Sequence, residues 1–166
     1  DMQLICEGYH MLRDGLKIAP DEMSKVFDEW NKGELNSFLI EITRDILKFK
    51  DEKGHFLLEQ IRDTAGQKGT GKWTAIAALD YGVPVTLIGE SVFSRCLSAL
   101  QSERVEASKI LDGPTAIFQG HKKTFLEHLR KALYASKIIS YAQGFMLLRE
   151  AAKVHNWNLN YGGIAL

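Results

Sequence analysis

The residues whose types and spacing suit chemistry lie in one loop, which reads GQKGTGKW from Gly66 to Trp73. Gly66, Gly71 and Lys72 fit the phosphate-binding pattern G-x-x-x-x-G-K, which continues with Ser or Thr. Trp73 occupies that next position, and its indole N–H is a donor that cannot ligate Mg²⁺. A P-loop also follows a buried strand, whereas the preceding segment HFLLEQIRD spaces its apolar residues as a helix does. The sequence therefore argues against a P-loop, and the glycines, lysines and threonine of this loop need another explanation.

The same loop has the features of an anion site at the beginning of a helix. A helix N-terminus carries unpaired backbone N–H groups and a partial positive charge, and both favour anions. Thr70 is placed to cap the helix that follows, while the glycines allow a sharp turn and a close approach to a ligand. Lys68 would donate to a phosphate or carboxylate as a compact charge. The alternative is a solvated surface turn, which is the common role of loops of this composition.

A second basic residue, Arg95, lies among apolar neighbours in the segment GESVFSRCLSAL. We expect its guanidinium to emerge at an edge or in a cleft, where it would match a phosphate with two parallel hydrogen bonds. The alternative is a surface ion pair, for instance with Glu90 or Glu103. We predict that Lys68, Thr70 and Arg95 together coordinate one phosphate, provided that the intervening helix returns the chain to the same cleft.

The composition restricts the class of partner. The chain has 166 residues, enough for one domain with a real core, and its 21 basic residues balance 21 acidic ones. This balance argues against a general affinity for nucleic acid or anionic membranes, so an anion site must be local. No apolar run reaches the roughly 18–20 residues of a membrane span, and the N-terminal residues do not resemble a signal sequence. Because position 1 is Asp rather than Met, we expect the sequence to begin inside a longer protein.

The cysteines and histidines give no indication of a metal centre. Cys6 and Cys96 are far apart in apolar surroundings, and we interpret them as two buried, reduced thiols in a reducing cytosol. The spacing of Cys, His and carboxylate residues matches no metal-ligand pattern. Most histidines are interpreted as surface or satisfied core residues. They are His10, His55, His121, His128 and His155.

The pattern of apolar residues predicts an all-α fold. Helices are predicted over 2–17, from Pro20, over about 36–49, from 72 to a stop at Gly82 and Pro84, over 85–100, over 104–111 and over 122–156. The apolar stripe of the second helix consists of Met23, Val26, Phe27 and Trp30. The residues of the third helix that are predicted to face inward are Phe38, Leu39, Ile42, Ile46 and Phe49. Residues 85–88 have a strand as their alternative. The helix at 104–111 is predicted to end at Gly113 and Pro114, and residues 115–121 are predicted to form a loop. The last helix, roughly 35 residues or ~50 Å long, is apolar on nearly every side in its middle. We therefore expect a multi-helix domain around a long, buried central helix.

Two helical segments resemble each other, CEGYHMLRD at 6–14 and AQGFMLLRE at 142–150, with Gly8 aligned to Gly144. A Gly inside a helix costs about 1 kcal/mol relative to Ala, so matching glycines would mark two matching close helix contacts. On this interpretation the chain is an incomplete fragment of a duplicated helical unit. The alternative is chance similarity between amphipathic helices.

The stretch DTAGQKGTGKWTAIAALDYGVPVTLIGESVFSRCLSAL resembles the all-helical C-terminal domain of the 6-phosphogluconate dehydrogenase family. The resemblance extends to DMQLICEGYHMLRDGL, KALYASKIISYAQGFMLLREAA and WNLNYGGIAL, and so covers essentially the whole chain. It implies a dimeric, metal-independent, cytoplasmic oxidoreductase of the pentose phosphate pathway. Such an enzyme converts 6-phosphogluconate into ribulose 5-phosphate and CO₂ by hydride transfer to NADP⁺. Residues 1–166 would be one partial helical domain of it.

The resemblance also implies roles for single residues. It assigns the sugar phosphate to Lys68, Thr70 and Arg95, in agreement with the anion site inferred from the residues. It places the catalytic lysine and glutamate upstream of Asp1 and the NADP site in a preceding Rossmann domain. It also implies a C-terminal tail that supplies an arginine and a histidine to the active site of the other subunit. None of these segments is in this sequence, so we assign it no catalytic, cofactor-binding or metal-binding residue and expect no turnover from it alone.

Two alternative functions remain open at this point. One is the helical domain of a related β-hydroxyacid dehydrogenase that acts on a substrate without phosphate. The other is a non-catalytic helical interaction module. Neither nucleic acid nor a membrane is expected as a partner.

Overall fold

The computed structural model describes residues 1–113 and 118–166, so Pro114 and the first part of the loop predicted up to residue 121 lie outside the described residues. The described residues form helices and one isolated bridge between Lys50 and Phe56, which confirms the all-α prediction. In chain order the helices are α1 (Met2–His10), α2 (Pro20–Trp30), α3 (Phe38–Lys48), α4 (Thr70–Asp80), α5 (Thr86–Ala99), α6 (Gln101–Ser108), α7 (Lys122–His155) and α8 (Tyr161–Ala165), with a π-helical segment at Met11–Gly15 and a 3₁₀ turn at Leu57–Gln60.

Several helix ends follow local sequence signals. Pro20 is the first residue of α2, where its fixed φ suits the helix and its missing N–H costs nothing. The hydroxyl of Ser37 accepts a hydrogen bond from the N–H of Ile40 at 3.3 Å and so caps α3. After α4, Gly82 has φ 66° and Pro84 follows, which confirms the predicted stop.

Two helices differ in extent from the prediction. The helix predicted over 2–17 changes at Met11 into a π-helical segment, in which the N–H of Leu16 donates to the carbonyl of Met11 at 3.1 Å. Leu12, inside this wider turn, and Ile18, just after it, are both buried. Helix α6 begins and ends three residues earlier than predicted, and the N–H of Ile110 closes its end on the carbonyl of Ala107 at 3.0 Å. Two other predictions are confirmed. Residues 86–88 belong to helix α5 and not to a strand, and α7 has 34 residues, close to the expected length.

The described residues form two compact units, one made of Asp1–Asp63 and Arg104–Lys137 and the other of Thr64–Glu103 and Ile138–Leu166. In the first unit α2 packs against α3, and the predicted stripe of α2 lies in the core, with Phe27 and Trp30 in edge-to-face contact at 5.0 Å. In the second unit the core is smaller and centres on Ala78, Val83 and Val85. The assignment of 1–166 to one domain stays a prediction.

An ionic network fixes α7 within the first unit. The Arg130 guanidinium donates to Glu127 from Nε at 2.8 Å and from Nη2 at 2.7 Å, and its Nη1 also contacts Glu34. These hydrogen bonds from Arg130 lower the pKa of Glu127 to about 2. The network therefore keeps Glu127 ionised at acidic pH values at which an unpaired glutamate would already be protonated.

Helix α3 turns a different face to the core from the one predicted. Ile40 and Leu47 are buried, whereas Phe38, Ile46 and Phe49, which were predicted to face inward, are exposed. Leu39 and Ile42 are half-buried. The helix is apolar on two faces, and its contact with α2 covers only one of them. Periodicity alone does not say which face that is.

The long helix α7 is only partly covered. Leu129 and Leu133 are buried in the first unit, and Ala151 and Ala152 are buried in the second. Between them Ile138 and Ile139 are 53% and 49% exposed. The expectation of burial holds at Leu133 and does not hold at these two isoleucines. The apolar composition of α7 shows which of its faces favour contact with other apolar residues. The described residues cover only some of these faces.

The two similar segments do not make matching contacts. A Cβ added to Gly8 would lie 3.4 Å from Leu133 Cδ1, whereas one added to Gly144 would meet nothing within 4 Å. The prediction of two matching close helix contacts is therefore wrong for Gly144. The first segment also changes to π-helix at Met11, while α7 continues without interruption through the second.

The expected burial of both thiols is wrong as well. Cys6 is exposed on α1, and Cys96 on α5 is half-buried. Residues that are adjacent in sequence point to different faces of a helix. Apolar neighbours in the sequence therefore do not show that a cysteine faces the core. Over the described residues, no helix combines the length and the apolar character needed to cross a membrane.

Candidate anion-binding site

The glycine loop is not preceded by a strand. The segment before it contains only the 3₁₀ turn Leu57–Gln60, and in the described part of the chain the sole β-type pairing is the isolated bridge at Phe56. The exclusion of a P-loop therefore stands. The helical spacing read in this segment corresponds to a single turn.

The beginning of α4 differs from the prediction at the capping position. Thr70 is the first residue of α4, and Gly69 is the N-cap, with φ 100° and ψ −21°. The prediction that Thr70 caps the helix is therefore wrong. A left-handed backbone favours glycine because it has no Cβ, and sequence alone gave Thr70 the better capping chemistry. Since Gly69 has no side chain, it supplies no acceptor to the N–H groups of the first turn.

Two side-chain contacts attach the loop to α5. The Arg95 guanidinium donates from Nη1 to the carbonyl oxygen of Gly66 at 3.3 Å. The next residues along both segments also meet, because Gln67 Nε2 donates to Cys96 Sγ at 3.6 Å. Loop and helix therefore run beside each other over two successive residue pairs.

The surroundings of Arg95 agree with an edge position. Its side chain is half-buried, and within the described ranges it forms no ion pair with Glu90 or Glu103. The surface ion pair considered from the sequence is therefore wrong. The carbonyl of Gly66 occupies only one of the N–H donors of the Arg95 guanidinium. The remaining donors can therefore form hydrogen bonds with an anion.

A third contact brings the backbone of α4 close to α5. A Cβ added to Gly71 would lie 2.9 Å from Val92 Cγ2, a distance that real Cβ atoms essentially never show. Val92 and Arg95 are three residues apart on α5, so they lie on the same face of that helix. The first turn of α4 thus packs beside the face of α5 that carries Arg95.

The other two predicted residues lie on this loop and helix turn. Lys68 is exposed and stands two residues after Gly66, whose carbonyl accepts from Arg95. Thr70 is exposed at the first position of α4. In the part of the chain that the structure describes, no acidic side chain pairs with Lys68. Two cationic side chains and a helix N-terminus therefore belong to one loop–helix arrangement, which favours an anion.

Sequence reasoning missed three residues of this arrangement. Gln67 and Val92 carried no signal, since their partners lie far along the chain. Cys96 was interpreted only as a buried thiol. Among the described side chains, no group of three or more His, Cys, Asp or Glu residues could hold a metal ion.

The second unit also contains a pocket of about 240 Å³ at the end of α4. Arg149 lines it, but its Nε is paired with Glu150 at 3.3 Å. Lys153 donates to the same carboxylate at 2.8 Å and lowers the pKa of Glu150. The charge of Arg149 is therefore balanced locally, in contrast to that of Arg95.

Known proteins resemble this chain over its full length. Two relatives called "6-phosphogluconate dehydrogenase, decarboxylating", from Ovis aries and Homo sapiens, are each 70% identical to it over 167 residues. The aligned region covers 100% of this chain and 35% of each relative. The chain thus spans about a third of the length of these relatives.

A solved structure gives the same result for the fold. Plasmodium falciparum 6-phosphogluconate dehydrogenase matches with a TM-score of 0.94 at 40% identity, over 99% of this chain and 36% of that one. That enzyme is described in its apo form, in complex with its cofactor NADP⁺ and in complex with its substrate 6-phosphogluconate. The family described as "6-phosphogluconate dehydrogenase, C-terminal domain" matches residues 1–166. Because this match runs over the entire sequence, the chain belongs to the 6-phosphogluconate dehydrogenase C-terminal domain family.

Proposed function

We propose that this chain is the helical part of an NADP-dependent 6-phosphogluconate dehydrogenase, which converts 6-phosphogluconate into ribulose 5-phosphate and CO₂. The family match, the relatives at 70% identity and the Plasmodium enzyme with its named substrate support this assignment. The structural observation that carries it is the contact between Arg95 and the carbonyl of Gly66. It places a guanidinium beside the loop that holds Lys68 and Thr70.

In this proposal the three residues hold the phosphate of the substrate in different ways. Arg95 is half-buried and already hydrogen-bonded through Nη1, so its plane is oriented before the ligand arrives. Lys68 adds a mobile point charge from the exposed loop. The hydroxyl of Thr70 and the N–H groups of the first turn of α4 donate to the phosphate oxygens. A phosphate carries a charge of about −1.5 to −2 near neutral pH, which two cations and a helix N-terminus would balance.

The remaining steps belong to other segments of the full-length enzyme. We assign the hydride acceptor NADP⁺ to a separate dinucleotide-binding domain, and no metal to the reaction. This chain would bind and orient the substrate phosphate, so that the reacting carbons lie at fixed positions relative to the coenzyme. It would act as a single helical domain over 1–166 in a cytoplasmic homodimer.

The two alternative functions have less support. A related dehydrogenase acting on an unphosphorylated acid would have little use for two cations at one loop. A non-catalytic interaction module would not require the near-complete superposition on a dehydrogenase that the TM-score of 0.94 expresses.

Substitutions in the full-length enzyme test the proposal. Lys68→Ala and Arg95→Ala should each raise the KM for 6-phosphogluconate by a factor equivalent to roughly 1.5–3 kcal/mol, the range for a hydrogen bond to a charged group. The KM for NADP⁺ should not change. Lys123→Ala removes an exposed lysine of α7 and serves as the control. An unchanged KM for 6-phosphogluconate in both site variants would overturn the phosphate site.

A further inference from the structure

Helices α4 and α5 approach each other closely at Gly71, beside the candidate site. Only 2.9 Å would separate a Cβ at this position from Val92 Cγ2. The two other glycines of the loop differ, because a Cβ added to Gly66 or Gly69 would meet nothing within 4 Å. Gly71 is therefore the loop glycine whose missing side chain is required by packing.

The atom that Gly71 meets cannot move away at low cost. Val92 lies inside α5, and a valine in a helix has one strongly preferred χ1 rotamer. A methyl group at residue 71 would therefore push the backbones apart instead of turning the valine. Overpacking of this kind displaces the main chain.

The displaced segments are those that carry the proposed phosphate ligands. Gly71 directly follows Thr70, and Val92 lies one helical turn before Arg95. The adjacent contact of Arg95 with Gly66, at 3.3 Å, lies on the same side of α5. A change in the spacing of α4 and α5 thus changes the spacing between Thr70 and the guanidinium.

We infer that Gly71 is a positioning residue, which sets the width of the anion site through its contact with Val92. It would touch no ligand itself. It would instead set the distance between Arg95 and the first turn of α4, and so determine whether both can contact the same phosphate. This inference rests on the proposed function, because it assumes that these groups share one phosphate.

A rescue experiment in the full-length enzyme tests the inference. Gly71→Ala should raise the KM for 6-phosphogluconate at least about fivefold, the factor that corresponds to 1 kcal/mol, and should leave the KM for NADP⁺ unchanged. Val92→Ala removes the methyl group that the new side chain meets. The double variant Gly71→Ala/Val92→Ala should therefore return to within about twofold of the wild-type KM.

The control and the second variant come from α5. A Cβ added to Gly89 would meet nothing within 4 Å, so Gly89→Ala should keep the wild-type KM. If Gly71→Ala does not yield folded enzyme, Val92→Ile adds bulk to the same contact from the opposite side. It should raise the KM for 6-phosphogluconate in the same direction.

Two results would overturn the inference. One is a wild-type KM for 6-phosphogluconate in Gly71→Ala, or in Val92→Ile where that variant replaces it. The other is a raised KM in Gly71→Ala that Val92→Ala does not lower. Failure of the phosphate site itself is distinguishable, because Lys68→Ala and Arg95→Ala would then also keep the wild-type KM. If those two variants raise the KM and Gly71→Ala does not, only the role of Gly71 fails.

Discussion

The Nη1 atom of Arg95 donates a hydrogen bond to the carbonyl oxygen of Gly66 at 3.3 Å, which joins α5 to the glycine loop. The neighbouring pair, Gln67 and Cys96, is in contact as well, at 3.6 Å. Arg95, a residue of α5, is thereby in direct contact with the glycine loop. The proposed function depends on this contact between α5 and the glycine loop. The beginning of α5 and the turn at Gly69, which belong to the same helix and loop, can be tested separately.

Gln143 stabilises the beginning of α5 from a distant position in the chain. Its Oε1 accepts hydrogen bonds from the N–H of Leu87 at 2.9 Å and of Ile88 at 3.4 Å, and its Nε2 donates to Thr86 Oγ1 at 3.0 Å. Gln143→Leu would leave the part-buried N–H groups of Leu87 and Ile88 without this acceptor. We expect it to lower the free energy of unfolding by about 1–3 kcal/mol, measured by urea denaturation of the full-length protein.

A matched variant separates the acceptor from the donor. Gln143→Glu keeps an acceptor for both N–H groups and adds a negative charge at a helix N-terminus. It should therefore be less destabilising than Gln143→Leu. Equal stability of the leucine variant and the wild type would show that this capping contributes nothing.

Gly69 should resist substitution because of its backbone conformation. Its φ of 100° lies in the region that side chains rarely adopt, although an added Cβ would meet nothing within 4 Å. Gly69→Ala should lower the free energy of unfolding by about 1 kcal/mol or more. Gly66→Ala is the matched control, since Gly66 has open space and is not among the residues with positive φ. If both variants unfold at the same urea concentration, the left-handed turn is not a constraint.

The stability of the first unit should depend on pH through Glu127. Hydrogen bonds from Arg130 lower the pKa of Glu127 to about 2 in the folded state, from an ordinary value of about 4.3. A depressed carboxyl pKa stabilises the folded state above the unfolded value, and this stabilisation is lost as the pH falls through about 2. Glu127→Gln should therefore show a smaller loss of stability than the wild type between about pH 5 and pH 2.

The partner residue provides a second measurement of the same effect. Arg130→Gln removes the cation, so the pKa of Glu127 should return towards its ordinary value and the pH dependence should shrink in the same way. Urea denaturation at several pH values measures both variants. A pH profile identical to that of the wild type in both would contradict the assigned cause.

Local signals in the sequence were sufficient for most helices. Pro20 marked the beginning of α2, and Gly82 with Pro84 marked the end of α4. The apolar pattern also predicted α7 almost to the residue, as Lys122–His155. Each of these signals acts within a few residues, which is why a single sequence is enough to recognise it.

The features that sequence reasoning missed depend on distant partners. Which face of α3 is buried depends on α2, so Phe38 and Ile46 were placed inward although they are exposed. The capping of α5 by Gln143 joins residues far apart in the chain. At the candidate site, Thr70 had the better capping chemistry, but the backbone of Gly69 makes the turn. The phosphate ligands Lys68, Thr70 and Arg95 remain a proposal, based on the resemblance and on the contact at Gly66.

The most direct test of the phosphate site compares the binding of two ligands that differ only in the phosphate. Calorimetry should measure the Kd of 6-phosphogluconate and of gluconate for the full-length enzyme and for Arg95→Ala. We predict that Arg95→Ala weakens the binding of 6-phosphogluconate by at least about tenfold, the factor for 1.4 kcal/mol, and leaves that of gluconate unchanged. An equal weakening for both ligands, or none for either, would contradict the assignment of Arg95 to the phosphate.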